Sequence, residues 1–160
     1  MSRRPIIPSE SADAIASVRK VYAAYEASPP PERSCIGRAD CCHFQRTGRT
    51  PYLTLGEALV AVRAWRATGR GEIPSLGADG ACPFLAEGRC RIHPDRPFGC
   101  RTHFCAAAGG PLARAEARPW IQQLEAIDHS LGGEGGVNLP AALSLAADLL
   151  AGKSRKRRLR

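Results

Sequence analysis

Residues 82–105 read CPFLAEGRCRIHPDRPFGCRTHFC. Four cysteines and three prolines fill a stretch with little hydrophobic periodicity, so no regular hydrogen-bond ladder is expected to fix it. A second group, Cys35, Cys41 and Cys42, lies upstream, and all seven cysteines of the 160-residue chain fall between residues 35 and 105. Bonds from thiolates to a metal would fold the two loops onto each other and give both a shape. The expected architecture is a mainly α, single-domain helical protein with long irregular cysteine-rich loops organised around a metal centre.

Working outward, Thr54-Leu-Gly-Glu57 is a capping box in which the Thr hydroxyl and the Glu carboxylate each satisfy an orphan backbone donor. Ala58, Leu59, Val62 and Trp65 follow on one face and predict a helix over 55–67. Upstream, Ile15, Val18, Val21, Tyr22 and Tyr25 recur at helical spacing and predict a helix over 9–27, ended by the prolines at 29–31. Downstream, Pro119 is read as a helix start, with Ile121, Leu124, Ile127 and Leu131 on its apolar face. The glycines of 132–136 end it, and Asn138 and Pro140 open a last helix that stops near Gly152. The GGEGG run does not follow a predicted strand and lacks dinucleotide-fingerprint spacing, so it is read as a helix–helix connection.

Composition narrows the class. The apolar fraction of 44% supports a compact core, and the aromatic fraction of 6% means aliphatic residues must build most of it. The net charge is +8, but the last eight residues, KSRKRRLR, supply six of those charges. The domain, residues 1–152, is therefore nearly balanced, and the basicity belongs to a tail over 153–160, expected to be disordered. Such a tail would attract nucleic acid by salt-dependent phosphate contacts without reading sequence. Ile6 and Ile7 are flanked by Pro5 and Pro8 and form neither a signal-peptide core nor a membrane span. The expected location is cytoplasmic, with no membrane partner. A reducing compartment and an odd cysteine count both argue against a disulfide framework.

Thiolates are soft ligands that select zinc, copper(I) or iron–sulfur clusters. The candidate ligands are Cys35, Cys41, Cys42, Cys82, Cys90, Cys100 and Cys105, with Cys35 ranked lower. Structural zinc sites usually pair two C-x(2–4)-C knuckles, and this chain offers one such spacing, Cys100 to Cys105, whereas iron–sulfur clusters tolerate less regular spacing. A four-thiolate cluster is anionic, so Arg101, beside Cys100, and its companion Arg96 are candidate cofactor-binding residues that balance charge. His43, His93 and His103 lie near cysteines in sequence but are assigned hydrogen-bonding or surface roles. No paired carboxylates and no nucleophile with an evident base appear.

The vicinal Cys41–Cys42 pair, the TLGEA helix start, the block CPFL…GRCRIH and the run DRPFGCR with a further cysteine after it together resemble the YkgJ-type cysteine-cluster family, a zinc- or iron-chelating domain known by the pattern CxxCxxCC. The resemblance spans about residues 35–105. It departs where Arg38 stands in place of the second cysteine, and a guanidinium cannot replace a thiolate. One four-thiolate centre remains within reach. The resemblance implies a chelating domain, and relatives in which a cysteine cluster is tied to methyl transfer imply a link to protein lysine methylation. Three functions are expected on these grounds. The first is an iron–sulfur protein serving redox chemistry or supporting a partner enzyme. The second is a structural-zinc interaction module whose tail attracts nucleic acid. The third is a cluster-dependent enzyme.

Overall fold

A computed structural model describes residues 8–28, 35–77, 79–103, 105 and 108–153. The basic run beyond Lys153, and with it the expected disordered tail, lies outside the described residues. Among the described residues six α-helices dominate: α1 (Pro8–Ala27), α2 (Phe44–Thr47), α3 (Leu55–Ala67), α4 (Phe98–Thr102), α5 (Arg114–Ser130) and α6 (Leu139–Leu150). The mainly α expectation holds. Among the described residues no helix is long and apolar enough to cross a membrane.

Helix α3 is the central element. Every residue from Leu55 to Val62 is buried, as befits a helix packed on several sides. It lies against α1, α5 and α6. Gly56 permits this closeness, because a Cβ there would sit 2.9 Å from Val18 Cγ2 and 3.3 Å from Ile127 Cγ2. The expected capping box at Thr54 and Glu57 is present, with the Glu57 amide donating to Thr54 Oγ1 at 3.4 Å and the Thr54 amide donating to Glu57 Oε2 at 3.0 Å.

Helix α5 corrects one expectation. It begins at Arg114 rather than at Pro119, which sits inside it. The Ala113 amide donates to the Glu116 carboxylate at 3.2 Å and so provides part of a cap. Pro119 lies in the second turn, where it lacks the N–H that would donate to the Ala115 carbonyl. The loop after α5 is fixed by Asp128, which is 1% exposed. Its carboxylate accepts from the Leu55 amide at 2.7 Å and from the Gly135 amide at 2.8 Å. Two short antiparallel ribbons complete the fold. Strand β1 (Tyr52–Leu53) pairs with β4 (Val137–Asn138) in the register Tyr52↔Asn138 and Leu53↔Val137. Strand β2 (Leu85–Ala86) pairs with β3 (Arg89–Cys90) around a turn in which Glu87 and Gly88 have φ of 52° and 69°. Two successive positive φ values are what a tight type I′ hairpin requires.

The segment 82–105 is therefore more ordered by protein contacts than its sequence implies. Phe84, Ile92 and Phe98 are buried in the main core. Phe84 packs against Trp65 with ring centroids 5.8 Å apart, and Phe98 meets Tyr25 edge-on at 5.2 Å. Arg19 on α1 holds Asp95 through two bonds of 2.9 and 3.0 Å, a bidentate geometry. Arg101 reaches Glu26 near the end of α1.

Glu57 closes this arrangement from the inside. It is 4% exposed, and its carboxylate accepts four hydrogen bonds: from the Thr54 amide and hydroxyl at Oε2, and from Tyr22 Oη (3.2 Å) and the Phe98 amide (2.8 Å) at Oε1. Burial pushes its carboxyl above the usual range, and the donors on Thr54, Phe98 and Tyr22 oppose that shift. A carboxamide would aim its NH₂ at two of these donors. Glu57→Gln is accordingly expected to lower unfolding free energy by about 2–4 kcal/mol. Urea denaturation measures this, and a change within about 0.5 kcal/mol would mean the carboxylate does not hold these elements together.

Candidate metal centre

The first cysteine loop turns inward through its backbone. Ala39 adopts a left-handed conformation (φ 58°) and starts a 3₁₀ turn over Asp40–Cys42. The Cys42 amide donates to the Ala39 carbonyl at 2.9 Å, and the buried Phe44 anchors α2 directly after the turn. This turn places Cys42 in the interior and leaves Cys41 half-buried. The second segment is spliced directly onto it. The Cys82 amide donates to the Cys42 carbonyl at 2.7 Å, and His43 forms an antiparallel bridge with Ala81.

From Cys82 the chain continues into the β2–β3 hairpin, which brings Cys90 back beside it. The Leu85 amide donates to the Cys82 carbonyl (3.0 Å), and the Arg91 amide to the Phe84 carbonyl (2.9 Å). A 3₁₀ turn over His93–Asp95 leads into α4, which carries Cys100. Cys105 comes next, its carbonyl accepting from the Ala108 and Gly110 amides at 2.9 and 3.1 Å.

All seven cysteines line one cavity of about 520 Å³. They are not equivalent. The thiols of Cys41, Cys82 and Cys90 lie near that of Cys42, which makes a group of four sulfurs. Cys100 lies close enough to Cys82, Cys41 and Cys90 to feel their charge. Cys35 is exposed at the cavity edge, and Cys105 is half-buried in its wall. Among the described residues, no three or more His, Cys, Asp or Glu side chains are disposed about a common point as a bound ion would require. The sulfurs surround the Cys42 thiol instead.

The electrostatics result from that arrangement. Hydrogen bonding from Cys42 lowers both Cys41 and Cys90 to about 7, with Arg96 contributing to each shift. The hydrogen bonds with Cys41, Cys82 and Cys90, together with burial, push Cys42 far up and keep it protonated. Burial and the neighbouring thiols raise Cys100 as well. The two candidate arginines differ in what they do. Arg96 faces the thiols, with its guanidinium held by the His93 carbonyl at 2.8 Å. Arg101 lines the same cavity but is 2% exposed, and its guanidinium is taken up by Glu26, the Pro94 and Arg96 carbonyls and the ring of Tyr22, 4.0 Å below it. Its charge braces the loop against α1. Arg38, the residue that departs from the cysteine pattern, pairs with Asp40 at 3.2 Å on the cavity rim.

His93 and His103 also line the cavity, and burial holds both below the usual imidazole range, helped by Arg96 and Arg101 for His93 and by Arg49 for His103. His43 points instead to Asp79, 3.7 Å away. Sequence reasoning missed Glu26, Tyr22 and the long-range role of Glu57. The hydrogen bonds they make span 35 to 75 positions of the chain, and no local pattern marks such pairs.

The uneven thiols give a measurable signature. In metal-free protein, Cys41 and Cys90 should alkylate with iodoacetamide in a transition centred near pH 7, while Cys42 stays unmodified until the chain unfolds. Mass-spectrometric mapping after brief labelling reads this directly, and labelling of Cys42 ahead of Cys41 and Cys90 would refute the arrangement.

No protein-family model matches this chain, and neither does any curated protein or solved structure.

Proposed function

We propose that the chain is a metal-chelating protein whose cysteine cluster holds an iron–sulfur centre and serves redox chemistry or the support of a partner enzyme. The observation that carries the reading is the convergence of all seven cysteines on the wall of one cavity, where the Cys82 amide is bonded to the Cys42 carbonyl and joins the two cysteine segments. The donor set is soft sulfur, which suits thiophilic metals, and Asp40, the one carboxylate on the cavity wall among the described residues, is engaged by Arg38. The order of motifs shared with the YkgJ-type family points the same way.

Cys41, Cys42, Cys82 and Cys90 would hold the centre, and binding would displace the Cys42 proton, since only thiolates ligate. Arg96 would offset the charge of the thiolates. Arg101 and Glu57 would hold α4 and its cysteine in place from behind. When bound, an iron–sulfur cluster supplies one-electron storage at a potential set by charge, hydrogen bonding and exposure.

A second reading, structural zinc, is favoured by the number four, because Cys41, Cys42, Cys82 and Cys90 make a Cys₄ set. Anaerobic purification separates the two. An iron–sulfur protein should carry iron with matching acid-labile sulfide and absorb broadly in the visible. Stoichiometric zinc without sulfide would establish the second reading, and metal-free protein would overturn both. Cys42→Ser is expected to lower metal content at least about tenfold, whereas Cys35→Ser should retain most of it.

A further inference from the structure

The cysteine cavity has a neighbour. A second, more open cleft of about 1,120 Å³ shares Cys41, Cys100 and His103 with it. These residues form a thin wall, so the cysteines can be approached from two sides. The outer cleft is floored by the loop before β1 and rimmed by Asn138 at the start of α6.

Its chemistry differs from that of the inner cavity. Among the described residues no aspartate or glutamate lines it, while Arg49 does, beside His103, whose imidazole is held below its usual range by burial and by Arg49. Among the described residues no ion pair engages the Arg49 guanidinium. Tyr52 stands on the rim at 68% exposure and Leu76 at 39%, two large side chains left in water beside a cationic floor. Val137, next to Asn138, is exposed as well. The cleft exceeds the ~300–1,000 Å³ typical of small-molecule sites. Exposed aromatic and arginine side chains together are the composition of protein-binding hot spots.

We propose that this cleft docks an acidic segment of a partner polypeptide, with Arg49 receiving a carboxylate and Tyr52 and Leu76 covering an apolar side chain. Charge complementarity selects the acidic partner, because among the described residues the lining offers the Arg49 guanidinium and no carboxylate to repel it. A segment seated there would lie against Cys41 and Cys100, which line the cleft. The docking itself does not depend on what the cysteines hold.

The test is selection of a random dodecapeptide display library on the full-length protein, with the Arg49→Glu, Tyr52→Ala double variant as counter-target. Both side chains are exposed, so the variants should unfold within about 0.5 kcal/mol of the parent. Enriched peptides should carry net negative charge and an aromatic or aliphatic residue. A synthetic copy should lose affinity at least about tenfold in each single variant and weaken as salt rises. Lack of enrichment, enrichment of neutral or basic peptides, or equal binding to the double variant would overturn the proposal. Full displacement of the peptide by millimolar inorganic phosphate would also overturn it, marking the cleft as a small-anion site. These outcomes are independent of the metal and sulfide assays.

Discussion

A buried carboxylate organises this protein. Glu57 completes the cap of the central helix, takes the hydroxyl of Tyr22 from α1, and receives the amide that opens the helix carrying Cys100. Each donor belongs to a different part of the chain, and each would otherwise lie unsatisfied in the interior. The carboxylate suits this task because it is acceptor-only and can take two donors on each oxygen. With it in place, the irregular cysteine segment is docked on the helices from below, while Arg19–Asp95 and Arg101–Glu26 tie it to α1 from the side. The cysteines are thus presented by a scaffold that has its own core, including Phe84, Ile92 and Phe98.

This scaffold bears on how a metal centre would work here. Where ions alone hold loops together, the apo state has no stable form. Here hydrogen bonds, ion pairs and aromatic packing already bring the two cysteine segments into register, down to the backbone bond between Cys82 and Cys42. The thiols then divide their protons unevenly: Cys42 keeps its own so that Cys41 and Cys90 can release theirs more easily. A centre assembled on such a frame would enter a partly prepared site.

Much of the helical frame was legible in the sequence because its signals are local. The Thr54–Glu57 pair marks the start of α3, and Asn138 with Pro140 marks that of α6. Pro119 misled because proline favours the first turn, and here it is tolerated one turn later. The β2–β3 hairpin was hidden because Glu87 takes a positive φ more often adopted by Asn, Asp or Gly. That two cysteine segments meet could be read from their crowding in the chain. Which sulfurs touch could not, since that depends on the hairpin, on the left-handed Ala39 and on Glu57, whose partner Phe98 is 41 residues away. Arg101 shows the same limit: its place beside Cys100 suggested a cluster-facing charge, and Glu26 and Tyr22 turn most of that charge toward α1.

The glycine run of residues 132–136 looks in sequence like slack that an engineer could cut, lengthen or use for a fused reporter. The Asp128 latch makes it a fixed corner, and a Cβ at Gly133 would come within 2.0 Å of the Asp128 carboxylate. Opening the chain there would release the amide of Leu55 and unzip β4 from β1. Circular permutants and insertions are better placed at residues 69–71, which face solvent beyond the end of α3.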